Sequence, residues 1–167
     1  MAPVQHDKSN PAPAIELIDI CKSFGPVRAN RDVSLRVEAG TVHGIVGENG
    51  AGKSTLMNVL YGHYQADSGE MRVAGEPVSL RSSADAISLG IGMVHQHFML
   101  VSNMTVLENV MLGSEGGPLL RTGKRETLNT LEKLADVYGM EVDADAVIAD
   151  LPVGTRQRVE IIKAIKG

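Results

Sequence analysis

The sequence predicts an α/β fold in which a buried strand leads through a glycine-rich loop into a helix. Three patterns indicate this class: apolar and polar residues alternate near the N-terminus, short apolar runs without alternation follow, and longer segments have helical spacing of apolar residues. The first pattern is typical of antiparallel strands, and the second of parallel strands covered on both faces. The composition, 43% hydrophobic and 22% charged, is that of an ordinary globular domain and excludes a disordered chain.

Four strands are predicted in the N-terminal part. The first two alternate apolar and polar side chains as half-buried antiparallel strands do, and the last two are short strand candidates that follow a turn. Gly40 is expected to form a turn after the second strand, and Asp67-Ser68-Gly69 a turn before the third. The strands are predicted at Ala14 to Ile20, Val33 to Val37, Glu70 to Val73 and Pro77 to Leu80.

A phosphate-binding loop is the most specific motif. Gly47 to Ser54 fits the pattern G-x-x-x-x-G-K-[ST], and it stands between an apolar run, Val42 to Val46, and a helix predicted over Ser54 to Tyr61 with Gly62 as its C-cap. Val42 to Val46 is expected to be a strand covered on both faces of a parallel sheet. This context of strand, loop and helix favours a nucleotide site over a glycine-rich turn that carries a surface lysine.

The residues of this loop have distinct expected roles. Glycines let successive backbone N–H groups face one anion, and the helix adds the positive end of its dipole. Lys53 is expected to reach the β- and γ-phosphates, and the Ser54 hydroxyl to bind Mg²⁺. The predicted binding residues are Gly47, Glu48, Asn49, Gly50, Ala51, Gly52, Lys53, Ser54 and Thr55.

A second buried strand is predicted at Ile91 to Val94, after a helix that Ser82 or Ser83 caps and that ends near Gly90. The strand leads to His95-Gln96-His97. Two histidines separated by one residue would share a face of a strand, but no third ligand is near them in the sequence. A structural or partner-facing role is therefore favoured over a metal site.

Three further helices are predicted in the C-terminal part. Thr105 and Glu108 have the spacing of a capping box, and the two later segments are amphipathic. A Gly/Pro loop, Gly113 to Pro118, separates the first helix from the second. The helices are expected from Thr105 to Leu112, from Lys124 to Tyr138 with Gly139 ending it, and from Thr155 to Lys166.

Four segments, in order, give the sequence a family resemblance: KSFG, GENGAGKSTLMNVLYG, HQHFMLVSNMTVLENVMLG and LPVGTRQRVEIIKAIKG. Together they resemble the ATP-binding subunits of ABC transporters, and more narrowly the first cassette of tandem-cassette importers for simple sugars or nucleosides. The resemblance implies a P-loop NTPase core with an N-terminal antiparallel β subdomain and a helical subdomain. It divides the sequence into a disordered Pro-rich tail at residues 1–13, the β subdomain and part of the core at 14–100, and the helical subdomain at 101–167.

The resemblance also implies roles for residues outside the loop. Phe24 stands where the family stacks an aromatic ring on the adenine of ATP; without the family, a core position would be the more natural interpretation of a phenylalanine. Gln96 matches the glutamine that approaches Mg²⁺ and the attacking water, so Lys53 and Gln96 are the catalytic candidates, and Ser54 and Gln96 the metal-binding ones.

The segment Leu151-Pro152-Val153-Gly154-Thr155 lies where the family has its signature, usually LSGGQ. Gly154 keeps the glycine that approaches the γ-phosphate held by an opposite subunit. Pro152, Val153 and Thr155 depart from that pattern and remove a hydroxyl and an N–H donor, which predicts a weakened signature. Without the preceding motifs, an ordinary Pro/Gly loop before a helix would be the simpler interpretation.

The family's next features, an apolar strand ending in Asp-Glu and a water-orienting histidine, are not found after Gly154. The nearest pattern, Val147 to Asp150, is one residue short and lacks a following Glu. The sequence is therefore expected to stop before the hydrolytic half of the ATPase. It is also expected to have an incomplete core that is unstable, self-associated or completed by another chain.

Two functional hypotheses follow. The first is an ABC importer subunit that couples ATP binding and hydrolysis to uptake of a sugar or nucleoside. It would use Mg²⁺, transmembrane permease subunits, a second ATP-binding cassette and, indirectly, a periplasmic or extracellular binding protein. The alternative is a non-catalytic nucleotide-binding or subunit-pairing module; a P-loop kinase or GTPase explains fewer of the motifs.

Net charge, cysteine content and hydropathy argue against a nucleic-acid-binding, a disulfide-bonded and a membrane-spanning protein. With 16 Lys and Arg against 20 Asp and Glu, the net charge of −4 indicates no nucleic-acid partner. Cys21 is the single cysteine, which excludes an internal disulfide, and a buried apolar environment is expected for it. No apolar run approaches the length of a membrane span. The expected location is cytoplasmic, on the inner face of the cell membrane through the permease.

Overall fold

The structure is a computed structural model that describes residues 12–95, 98–112 and 120–166 of the 167-residue chain. The chain divides into two compact units, of which the first ends at Ile91 and the second begins at Gly92. Among the described residues, none of the helices combines the length and the apolar composition needed to cross a bilayer.

The N-terminal unit contains a four-stranded antiparallel sheet in the order β2-β1-β3-β4. This confirms four strands near the predicted positions, although β2 begins six residues earlier than its alternating pattern and β4 ends at Val78 instead of Leu80. The turn predicted at Asp67-Ser68-Gly69 is partly wrong, because β3 already begins at Ser68. The strands are β1 (Ile15–Phe24), β2 (Val27–Val37), β3 (Ser68–Val73) and β4 (Glu76–Val78).

The β1/β2 pairing is irregular near Asp19 and Asp32, which have left-handed φ values of +50° and +47°. The Ser34 hydroxyl donates to the Asp19 carboxylate at 3.0 Å and accepts the Asp19 N–H at 2.9 Å. The Cys21 thiol donates to the Asp32 carboxylate at 3.3 Å, and the Asp32 N–H donates to its sulfur at 3.2 Å. Cys21 is therefore half-buried and hydrogen-bonded, not the buried apolar side chain expected.

Two helices complete this unit. Helix α1 (Lys53–Leu60) confirms the helix predicted after the glycine-rich loop, and α2 (Ser83–Ser88) begins with a capping box. Ser82 is its N-cap, and the Asp85 carboxylate accepts the N–H groups of Arg81 and Ser82, which hold the pKa of Asp85 below its usual value. The core of the unit is formed by Leu17, Ile20, Leu56, Val59, Met71, Leu80 and Ala86.

Two predicted strands are wrong. Val42 to Val46 and Ile91 to Val94 have no regular structure, and Val42 and Val46 are fully exposed. An apolar run becomes a buried parallel strand only when neighbouring strands bond to its backbone and other elements cover its faces. In the part of the chain that the structure describes, the one sheet is antiparallel and includes neither run.

The C-terminal unit is helical. Thr105 and Glu108 form the predicted capping box on α3, with Thr105 N–H donating to the Glu108 carboxylate at 2.8 Å and lowering the pKa of that carboxyl. Gly139 has φ +64° and ends α4 as predicted, while the predicted loop from Gly113 to Pro118 lies outside the described residues. The helices are α3 (Val106–Met111), α4 (Leu120–Tyr138) and α5 (Val153–Lys166), with a 3-10 turn at Ile148–Asp150.

Polar groups buried in this unit fix the segment that precedes α3. The Asn109 side chain accepts the Val101 N–H at 2.7 Å and donates to the Val101 carbonyl at 3.0 Å. From α5, Glu160 accepts the Met99 N–H at 3.2 Å, and the Lys163 ammonium donates to the Met99 carbonyl at 3.1 Å. The surrounding core is formed by Val106, Leu107, Val110, Leu131, Leu134, Ile148, Val159 and Ile162.

Gly62 provides a direct test of the N-terminal unit. Its φ is +74°, and a Cβ there would lie 2.5 Å from the Ser82 carbonyl oxygen. Left-handed strain alone costs roughly 1–2 kcal/mol, so with this collision Gly62→Ala should lower the free energy of unfolding by more than about 2 kcal/mol. Gly90 is the matched control, because its φ is +79° but its Cβ would meet nothing within 4 Å. Equal losses in denaturant unfolding would contradict the packing argument.

Candidate nucleotide-binding site

The glycine-rich loop that precedes α1 forms a tight turn on the surface of the N-terminal unit. Gly50 and Gly52 have φ values of +86° and +84°, in the left-handed region where a side chain is strained. The Ala51 N–H donates to the Glu48 carbonyl at 3.2 Å, and Asn49 lies with Gly50 at the tip of the turn. The loop therefore curls as a phosphate cradle requires.

Gly52 is held directly against β2. A Cβ at this position would lie 2.2 Å from the Ala29 carbonyl oxygen and 2.8 Å from the Asn30 amide nitrogen. The same Asn30 nitrogen donates to the Gly52 carbonyl at 3.2 Å. Only glycine fits this contact, so β2 fixes the point at which the loop becomes a helix.

The N-terminus of α1 has no internal partner for its first N–H groups. Gly52 is its N-cap and has no side chain to accept them, and no acidic residue lies in the first turn. The first helical bond is the one from the Leu56 N–H to the Gly52 carbonyl, at 2.9 Å. The N–H groups of Lys53, Ser54 and Thr55 are therefore available to an anion at the positive end of the helix.

The Lys53 side chain folds back over the loop. Its ammonium donates to the carbonyl oxygens of Gly47 and Glu48, at 2.6 and 2.7 Å. This places a full positive charge beside the uncapped N–H groups. A phosphate oxygen can replace a carbonyl as the acceptor and makes a stronger, charge-assisted bond.

The donors of this loop fit a nucleotide phosphate with Mg²⁺. Ser54 is exposed on the first turn of α1, where its hydroxyl can join a metal ion whose other ligands are phosphate oxygens and water. Gln96, the other predicted metal-binding and catalytic residue, lies outside the described residues, as does His97. Within the described ranges, no group of three or more His, Cys, Asp or Glu side chains could hold a metal by itself.

Phe24 lies at the end of β1 and is 43% exposed, so the alternative that it is a core residue is wrong. Its ring and that of Tyr64 form a T-shaped pair, with centroids 5.1 Å apart and an interplanar angle of 75°. The Lys22 ammonium lies 5.5 Å from the ring centroid. An exposed ring held in this way can stack on a base, which stays a prediction for Phe24.

The second predicted phosphate contact, Gly154, lies in the C-terminal unit. Helix α5 begins at Val153, two residues before the predicted start, because the Pro152 carbonyl accepts the N–H groups of Thr155 and Arg156, both at 3.0 Å. Gly154 is thus in the first turn and exposed, and a Cβ at this position would meet nothing within 4 Å. Its position at an exposed helix N-terminus is compatible with the predicted role, which stays a prediction.

Sequence reasoning missed two polar residues beside these groups. Asn30 is 6% exposed, and its side-chain oxygen has no hydrogen-bond partner among the described residues. Asp67, which the sequence placed in a turn, accepts two hydrogen bonds from the end of β1. No local pattern marks either residue, because each acts on backbone far away along the chain.

Comparison with known proteins identifies the family. The family model described as ABC transporter matches residues 30–166. The guanosine import ATP-binding protein NupO of Bacillus subtilis is 47% identical over 151 residues, which are 90% of this chain and 30% of that protein. The nucleoside import ATP-binding protein NupA of Lactococcus lactis is 48% identical over 155 residues, with the same shares, and the ribose import ATP-binding protein RbsA 2 of Escherichia coli O157:H7 is 41% identical over 159. The chain thus spans about 30% of the length of these relatives.

Solved structures support the same fold. A nucleotide-free ATP-binding cassette from an ABC transporter has a TM-score of 0.78 and 30% identity, and the ADP conformation of another such cassette has a TM-score of 0.79 and 27% identity. In both, the match covers 92% of this chain and 65% of the cassette. These similarities confirm the predicted α/β P-loop fold with an antiparallel β part and a helical part.

The contact at Gly52 generates a prediction for phosphate binding. Gly52→Ala should displace the loop from β2 and weaken binding of magnesium tripolyphosphate by more than about tenfold, since about 1.4 kcal/mol suffices for that factor. Gly40→Ala is the control, because Gly40 has φ +72° and open space around it. Calorimetric titration of both folded variants checks this, and an unchanged affinity in Gly52→Ala would refute it.

Proposed function

Since the chain belongs to the ABC transporter family, we propose that it is the ATP-binding part of an importer subunit, which couples ATP binding and hydrolysis to uptake of a sugar or nucleoside. The relatives named for guanosine, nucleoside and ribose import support this class of substrate. The observation that carries the proposal is the uncapped N-terminus of α1 with the Lys53 ammonium beside it.

Each part of the loop has a role toward ATP. The N–H groups at the start of α1 bind the phosphate oxygens, and Lys53 moves from the Gly47 and Glu48 carbonyls to the β- and γ-phosphates. Ser54 provides a hydroxyl to Mg²⁺, which supplies charge neutralisation on the phosphate when it is bound. The backbone N–H groups are in place before the nucleotide arrives, so only the Lys53 side chain has to exchange its acceptors on binding.

The phosphate site needs no basic surface. The chain has a net charge of −4, yet this one loop and helix start combine backbone N–H groups, a helix dipole and the Lys53 ammonium. Such a local positive field can bind the phosphates of one nucleotide, but it does not extend along the surface as binding of a nucleic-acid backbone requires. This supports a nucleotide ligand and argues against a nucleic acid.

The remaining roles concern the assembled importer. We propose that Gly154 and the first turn of α5 face the γ-phosphate held by a second cassette, and that Gln96 orients the attacking water and Mg²⁺. Transmembrane permease subunits would hold the protein on the cytoplasmic face of the membrane, and an external binding protein would act through them. Gln96 and Lys53 are the proposed catalytic residues.

Removing the Lys53 ammonium tests the central observation. Lys53→Ala should weaken Mg-ATP binding by more than about tenfold, because a charge-assisted bond to phosphate contributes roughly 1.5–3 kcal/mol. Lys133→Ala, which removes an exposed lysine from α4, is the control. Calorimetry on samples shown to be folded by circular dichroism measures both. Wild-type binding by Lys53→Ala would contradict the assignment of this loop.

Truncating Phe24 tests the base-stacking role separately. Phe24→Ala should weaken binding of Mg-ATP by about fivefold or more, because stacking contributes roughly 1–3 kcal/mol per base. Binding of magnesium tripolyphosphate, which has no base, should stay within about twofold of wild type. Phe24→Tyr keeps an aromatic face and should keep the ATP affinity; a loss equal to that of Phe24→Ala would contradict stacking.

A further inference from the structure

We propose that Asp67 is a positioning residue for base recognition: it fixes the end of β1 so that Phe24 is held ready to stack on a purine. The inference rests on the proposed function, because it concerns the same nucleotide. The loop between α1 and β3 would then help to hold Phe24 as well as connect two elements. Lys22 and Tyr64 are the residues that contact the Phe24 ring.

Asp67 makes three hydrogen bonds to the residues just before Phe24. One carboxylate oxygen accepts the Lys22 ammonium at 2.9 Å, and the other accepts the Ser23 N–H at 2.6 Å. Its own N–H donates to the Cys21 carbonyl at 2.8 Å. Side chain and backbone of one residue thus fix three successive residues of β1.

These bonds reach the aromatic ring through Lys22. The ammonium that Asp67 holds also lies 5.5 Å from the Phe24 ring centroid, a cation–π distance. The Lys22 side chain is only 16% exposed, so it is confined between the carboxylate and the ring. Tyr64, from the same loop as Asp67, meets the ring edge to face. The loop therefore limits the orientations available to an otherwise exposed ring.

The same strand pair connects the ring to the phosphate loop. Lys22 on β1 is paired with Asn30 on β2, and the Asn30 amide donates to the Gly52 carbonyl. Asp67 therefore holds Lys22 on β1, and the residue paired with Lys22 on β2, Asn30, holds the phosphate loop at Gly52. A nucleotide bound at both ends would need this spacing to be constant.

The charge of Asp67 suits this task. The Lys22 ammonium and, next, the Ser23 N–H lower the pKa of its carboxyl, so it remains ionised at neutral pH. The carboxylate is half-exposed, so the ion pair by itself contributes little to folding stability. Its effect is expected in binding instead, where holding a group in its bound orientation reduces the entropy lost.

The test compares two ligands that differ in the base. Mg-ATP reports stacking and phosphate contacts together, and magnesium tripolyphosphate reports the phosphate contacts alone. Asp67→Ala should weaken ATP binding by about three- to tenfold, at most the loss caused by Phe24→Ala, and leave tripolyphosphate within about twofold. Asp67→Asn keeps an oxygen that can accept the Ser23 N–H and should fall between wild type and Asp67→Ala.

Two controls separate positioning from general damage. Glu70→Gln neutralises a carboxylate that pairs with Arg72 on β3 and should leave both affinities unchanged. In the double variant Phe24→Ala/Asp67→Ala, ATP binding should equal that of Phe24→Ala alone, because Asp67 acts through the ring.

Three results would overturn the inference. They are an unchanged ATP affinity in Asp67→Ala, an equal loss for both ligands in both Asp67 variants, and additive losses in the double variant. If Asp67→Ala does not fold, Asp67→Asn alone decides by the same comparison. Failure of the folded wild-type chain to bind either ligand is a different outcome, which overturns the proposed function and this inference with it.

Discussion

The candidate site depends on one close contact, the packing of Gly52 against the backbone of β2. There is no space for a side chain at this point, since a Cβ would lie 2.2 Å from the Ala29 carbonyl oxygen. Because the loop touches the sheet here, α1 begins where β2 allows it to begin. The uncapped N–H groups and the Lys53 side chain take their positions from that start. The close packing of Gly52 against β2 thus determines where the exposed N–H groups and the Lys53 ammonium lie.

The short helices α1, α2 and α3 differ in what satisfies the N–H groups of their first turn. Helices α2 and α3 both begin with capping boxes, in which a side chain satisfies the first N–H groups. Helix α1 begins with Gly52, which lacks a side chain and leaves those groups without an intrahelical acceptor. A glycine cap is worse than Ser, Thr, Asp or Asn by only roughly a few tenths of a kcal/mol, so α1 loses little stability by beginning at Gly52. A phosphate supplies the missing acceptors when it binds.

Local signals in the sequence were sufficient for the loop, the caps and most helices, but not for the contacts between distant residues. The helix after the loop, the cap at Ser82, one of the two predicted serines, the Thr105 cap and the glycine at 139 depend on residues near each other in the chain, and the structure has them as predicted. Val42 to Val46 and Ile91 to Val94 failed because a parallel strand depends on partners far along the chain. Asn30 and Asp67 were missed for the same reason: their bonds span 22 residues and more than 40.

The β1/β2 hairpin connects the loop proposed to bind phosphate with the ring proposed to bind the base. At the phosphate end, backbone N–H groups bind charge and require atoms placed within a few tenths of an ångström. At the base end, an aromatic face binds by area and tolerates small shifts, but only if the ring stays at the correct distance and tilt. The Lys22–Asn30 pairing joins both ends through paired strand backbone, although the β1/β2 register shifts on either side of this pair. Asn30 holds this hairpin to Gly52, and Asp67 holds the residues before Phe24. Together these two polar residues therefore set the distance between phosphate and base that a ligand must match.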